Sequence, residues 1–150
     1  MRKTVTSLCM CLLLALAACS NPEPNSRVIG TYELSSVNMN GKELTIDQII
    51  LVMETYYPNM NFDCLKDNTL ELKTDYTFES VQTCESPFDM PLTFGNGTYQ
   101  IVDKNITLTE TETETVVEGI VADDYNSFTV EMTVEIGDIP MLVKITLTKK

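Results

Sequence analysis

The sequence predicts an all-β fold, an antiparallel up-and-down barrel of about eight strands with one short helix after the first strand. Two observations carry that prediction. Apolar and polar residues alternate with period two through the second half of the chain, as in "SFTVEMTVE" and "PMLVKITLTKK", which is the pattern of half-buried antiparallel strands. The connections read mostly as hairpins, and an antiparallel sheet of this size closes on itself because closure removes its exposed edges.

The first strand is "VIGTYELSSVNM", with Tyr32 and Leu34 inward and a bulge expected at Ser35-Ser36. A helix follows in "TIDQIILVMETYYP". Thr45 and Gln48 form a capping box, and Ile46, Ile49, Ile50, Met53 and Tyr57 fall at helical spacing before Pro58. The β-branched content of this segment leaves a strand as the alternative. "NTLELKTDYTFES" is a hairpin with Leu70 and Leu72 on the face of Tyr76 and Phe78. With Lys73 to Asp75 as its loop, Leu72 opposes Tyr76, and the same register extended sets Cys64 opposite Cys84 on the inward face. Lys66-Asp67-Asn68 interrupts that ladder. "ESPFDMPLTFGNG" holds Pro87 and Pro91 and reads as a long loop.

"GTYQIVDKNITLT" is a tight hairpin: Tyr99 and Ile101 inward, Asp103 to Asn105 turning, Ile106 and Leu108 inward again. The next stretch, "TLTETETETVVEG", alternates threonine and glutamate. Glu110, Glu112 and Glu114 share the parity of Ile106 and Leu108, so a strand continuing in register would bury three unpaired carboxylates, at prohibitive cost. The strand is therefore expected to outrun the core near Glu110 and turn back before Val116 as a polar tip. As a cation site the tip is poor, because alternation spreads carboxylates along an edge rather than around a point. "ADDYNS" reads as a turn. In the last two strands Phe128, Val130, Met132 and Val134 face one way, as do Met141, Val143, Ile145 and Leu147, with Gly137-Asp138 joining them.

The chain begins "MRKTVTSLCMCLLLALAACS". Arg2 and Lys3 precede an apolar run from Leu8 to Ala18, which reads as a secretory signal over residues 1–18, too short for a comfortable transmembrane helix. "LAAC" resembles the lipobox of bacterial lipoproteins, which implies that Cys19 is acylated on its thiol, as by palmitate, and becomes the new N-terminus. Ordinary cleavage near Ala18, leaving a free Cys19, is the competing reading. Residues 19–27 are then a lipidated cysteine and a linker stiffened by Pro22 and Pro24, and 28–150 one barrel domain. Ser20 after the cysteine, where aspartate would suggest inner-membrane retention, points to the outer membrane.

Two of the ten basic residues lie in the signal and none of the 22 acidic ones, so eight oppose 22 in the mature chain, a net charge of −14. Such a surface repels nucleic acid and gains nothing from anionic lipid, so the tether must hold the protein to its membrane. Cys9 and Cys11 leave with the signal and Cys19 is taken by lipid. Cys64 and Cys84 remain in a compartment that permits disulfides, and closing their loop adds about 3 kcal/mol in the chain-entropy account. A two-cysteine metal site competes weakly, since the chain has no histidine.

Three segments together, "GTYELSSVNMNGKELT", "CLKDNTLELKTDYTFE" and "GTYQIVDKNITLT", resemble the lipocalin-like domain of Gram-negative bacterial lipoproteins. The resemblance implies a calycin-type barrel with a central cavity. Gly30-Thr31-Tyr32 takes the place of the glycine, any residue, tryptophan opening of lipocalins proper, with tyrosine for tryptophan. Lys144 stands in the last strand, where lipocalins often pack an arginine on that ring.

Absence of histidine removes the commonest acid–base residue near neutral pH, and no nucleophile elbow, phosphate loop or metal motif replaces it. Neither an enzyme nor a cofactor is expected. Two classes of function remain. In one, the barrel binds a small hydrophobic ligand, lined by Tyr32, Leu34, Tyr99, Ile101, Phe128, Val130, Met132, Val143 and Ile145. In the other, those residues are plain core packing and the barrel is an envelope scaffold that displays its loops, its helix and an apolar patch over Ile50 to Tyr57 to a protein partner.

Overall fold

The computed structural model describes residues 26–83, 94–136 and 139–150. The expected signal and linker with Cys19, the loop segment holding Cys84, Pro87 and Pro91, and the Gly137-Asp138 turn lie outside them.

Among the described residues nine strands form one antiparallel sheet, β1 (Gly30–Met39), β2 (Lys42–Thr45), β3 (Thr69–Leu72), β4 (Thr77–Val81), β5 (Gly97–Val102), β6 (Asn105–Glu110), β7 (Val116–Val121), β8 (Ser127–Ile136) and β9 (Ile139–Lys149). Their spatial order is β2-β1-β3-β4-β5-β6-β7-β8-β9, and β9 returns to pair with β1. Eight strands therefore close the barrel. The ninth, β2, is short, and no sequence pattern announced it. It pairs only with the far end of β1, from Ser36 opposite Thr45 to Met39 opposite Lys42, after β1 has parted from β3 at Glu33.

The register of β1 against β9 shifts between Leu34 and Ser36, the bulge expected at the serine pair. Ser35 is the extra residue. It turns the inward set from Tyr32 and Leu34 to Val37 and Met39, and its hydroxyl donates to the Thr146 carbonyl at 3.0 Å. The β3–β4 hairpin differs from expectation by two residues, because Leu72 opposes Phe78 and not Tyr76. The loop is wider since Lys73 N–H donates to the Thr77 carbonyl, with Tyr76 at φ 65° inside it and Asp75 accepting from Thr77. A slip of two keeps every side chain on its face, so the inward parity survives.

Between β2 and β3 lies helix α1 (Ile46–Tyr56), capped at Thr45 by the reciprocal capping box with Gln48. Ile49 joins the barrel core, while Ile50 packs with Phe62 and Leu65 in a separate cluster. Leu65 belongs to a 3-10 turn over Asp63–Asp67, which interrupts the ladder where Lys66 to Asn68 were expected to do so.

The barrel has two unlike ends. The floor carries the tight connections: the turns after Leu72, at Asp103-Lys104 and from Ala122 to Asn126, together with the entering chain at Arg27 and the C-terminus. The mouth carries β2, α1, the 3-10 turn and the β6–β7 tip.

Candidate functional site

The centre of the barrel is solid. Tyr32, Leu72, Ile106 and Val130 are 0 % exposed, and Leu70, Phe78, Leu108, Phe128 and Ile145 only 1 %. A large central void would leave accessible area on such walls, and these have almost none. Tyr32 and Phe128 meet edge to face with centroids 4.9 Å apart.

Both central phenols turn to the floor. The Tyr32 hydroxyl donates to the Val28 carbonyl at 2.6 Å, and that of Tyr99 to the Lys73 carbonyl at 2.6 Å. Burial, helped by neighbouring Tyr99, pushes the Tyr32 phenol up to about 12. Lys149 closes this end, its ammonium 5.8 Å from the centre of the Tyr32 ring. Lys144, expected in that role, instead faces outward and pairs with Glu131. Parity explains the correction: Lys149 extends the inward series of Val143, Ile145 and Leu147 by one more step, and it lies opposite Tyr32 in the β1–β9 register.

Packing loosens toward the mouth. Met39, Met132 and Met141 stay partly exposed while packing against the core, as does Leu34. Met39 and Met132 both flank Val143, one from β1 and the other from β8. Between β1, β9 and the β3–β4 pair a gap of about 30 Å³ lies among Leu34, Leu65, Leu70, Ser80, Phe94, Ile145 and Leu147. A larger depression of about 970 Å³ lies outside the barrel on β6 to β9, where Thr107, Glu118, Ile120, Thr129 and Glu131 point. It is an open saddle of the outer face and no part of the interior.

All nine residues expected to line the barrel belong to this one core. Tyr32, Tyr99, Phe128, Val130, Val143 and Ile145 are buried in it, and Leu34, Ile101 and Met132 pack at its margins. Val37 and Phe94 were missed. Val37 changes parity at the bulge, and Phe94 sits in a proline- and glycine-rich stretch with no periodicity to reveal it.

The threonine-glutamate stretch ends as expected. β6 stops at Glu110, Glu114 takes φ 56° to make the turn without glycine, and Val116 starts β7. Glu110 is not simply solvated, for it accepts from the Gly95 N–H at 2.6 Å and from the Thr113 hydroxyl. Among the described residues no cluster of acidic or thiol groups is placed to hold a metal ion.

A family model for the lipocalin-like domain matches residues 28–134. The chain belongs to the lipocalin-like domain family. No curated protein and no solved structure matches it. Members of this family are in general non-catalytic binding proteins, and a lipocalin-like barrel is suited to a small ligand.

Proposed function

We propose that this lipocalin-like protein is a lipid-tethered binder of a small apolar molecule, held at the mouth of the barrel and not in its centre. The methionine rim carries this reading. Met39, Met132 and Met141 form an inward, partly exposed margin on three strands, and thioether side chains are flexible and polarizable enough to fit apolar guests of varied shape. The resemblance of "LAAC" to a lipobox supports the tether, and Ser20 after Cys19 supports the outer membrane of a cell envelope as its location. Acylation at Cys19 anchors it stably, since each buried methylene contributes roughly 0.8 kcal/mol.

Native mass spectrometry of the protein purified from its own host tests the ligand. A non-covalent adduct lost on mild activation is expected, and a bare mass from several preparations contradicts it. For the tether, a fatty-acid analogue should label wild type and not Cys19→Ala; equal labelling defeats the lipobox. The scaffold reading has its own observation, the solid centre together with Leu51 and Val52 exposed on α1 at 65 % and 46 %. A bare mass would favour it.

A further inference from the structure

The interior is weakest between β4 and β5. Their ladder holds only Thr77 opposite Thr98 and Phe78 opposite Gly97, both toward the floor. Above Gly97 the strands part, and side chains replace the missing backbone bonds. The Asn96 amide oxygen accepts from Ser80 N–H at 3.1 Å, and the Gln82 amide donates to the Phe94 carbonyl at 3.3 Å. Into this opening Phe94 inserts its ring. It is 8 % exposed, belongs to the main core and lines the gap of about 30 Å³ beside Leu34, Leu70 and Leu147.

We infer that Phe94 is a built-in occupant of a latent apolar site, which a phenyl-sized apolar group of a ligand takes by displacing it. This rests on the proposal that the mouth binds an apolar molecule, and it adds where that molecule's deepest group goes. Three features support displacement. Phe94 itself lies in no strand, so its backbone is not fixed by a ladder. The bonds at Phe94 and Gly95 themselves come from side chains, Gln82 and Glu110, which re-form with water at little cost, and a backbone bond, from Thr111 N–H at 2.9 Å, holds the chain at Asn96. The space is also of the right size. Removing a phenyl group from beside the existing gap approaches the roughly 150 Å³ at which an apolar cavity stays dry and takes benzene. Besides Phe94, the walls are leucines and an isoleucine, together with Asn68, Thr69 and Ser80. Phe94 then competes with the ligand, and apparent affinity falls by the fraction of time it vacates the site.

The test uses the full chain, with benzene as the small probe and an apolar fluorescent probe for the mouth. Phe94→Ala should melt below wild type, regain most of that loss in benzene-saturated buffer, and bind the fluorescent probe at least tenfold tighter. Wild type should gain little from benzene. Phe94→Leu, a smaller truncation, should show the same pattern in weaker form and serves if the alanine variant does not fold. Folded variants with no benzene gain overturn the inference. If wild type binds the fluorescent probe while the Phe94 variants bind it equally, the mouth stands as a site and Phe94 is no occupant of it. Absence of probe binding by every form, together with a benzene gain in Phe94→Ala, overturns the mouth reading and reduces Phe94 to core packing.

Discussion

Lys149 lies over Tyr32. Its ammonium nitrogen is 5.8 Å from the ring centre and donates to the Arg27 carbonyl at 2.9 Å, while its alkyl stem packs on Gly30. One side chain thus joins the last strand to the first and to the chain that enters the barrel. Lys149→Ala loses the cation–ring contact, the hydrogen bond and the stem, together about 1–2 kcal/mol. Lys144→Ala removes an exposed pair with Glu131 and should cost under about 0.5 kcal/mol. Urea denaturation of the two variants checks the order. Equal losses would mean that the floor contact has no special weight.

The Tyr32 phenol gives the barrel an alkaline limit. Its pKa is raised from 10.0 to about 12, so the native state holds this proton more tightly than the unfolded chain. The stabilisation is complete below pH 10 and is lost as pH rises from 10 through about 12. The difference corresponds to about 3 kcal/mol. Stability measured from pH 8 to 12 should fall on the alkaline side, and Tyr32→Phe, though less stable near neutrality for want of its bond to Val28, should fall less. Parallel curves would show that the phenol is not responsible.

These two residues also show how far a sequence can be read. Parity alone put Tyr32 inside and identified its face across β8 and β9, because alternation is a local property that the pleat enforces. The same parity sets Lys144 outward and Lys149 inward, but setting Lys149 over Tyr32 required the β1–β9 register, a long-range contact that no local pattern carries. The bulge at Ser35 was legible because paired serines interrupt the alternation, yet its consequence for Val37 was not drawn. Phe94 was invisible for a different reason: its burial depends on two strands parting at Gly97, and nothing in its own neighbourhood repeats.

Gly97 marks where the barrel turns its corner. A Cβ there would overlap the Thr109 carbonyl and the Phe78 ring, and both are fixed by the sheet. Gly97→Ala should therefore cost about 3 kcal/mol or more. Gly41, at φ 80° with open space around it, supplies the contrast. Gly41→Ala meets only the left-handed backbone penalty of about 1 kcal/mol. Thermal melts of the pair check this, and a mild loss at Gly97 would mean that β5 can move away from β4.

The chain at Thr83 returns to Cys64, whose carbonyl accepts from the Thr83 hydroxyl at 2.7 Å, while Thr83 N–H donates to Asn68 at 2.9 Å. That proximity supports the Cys64–Cys84 disulfide proposed from the cysteine count. Replacing both cysteines by serine should lower stability by about 3 kcal/mol. Both thiols should resist alkylation until the protein is reduced. Rapid alkylation of unreduced native protein would rule the bond out.

The central claim, a solid barrel that binds at its mouth, is tested most directly at Met132. It is inward yet partly exposed, two pairs nearer the mouth than Val130 in the β8–β9 ladder. Binding of an apolar fluorescent probe is titrated on wild type and on Met132→Trp, with a thermal melt of each. The account predicts probe binding by wild type, at least tenfold weaker binding by the variant, and a melt shifted by only a few degrees because the added bulk projects into the mouth. No binding by wild type, with a variant destabilised by the 1–3 kcal/mol typical of an overfilled core, would contradict it and leave a closed scaffold.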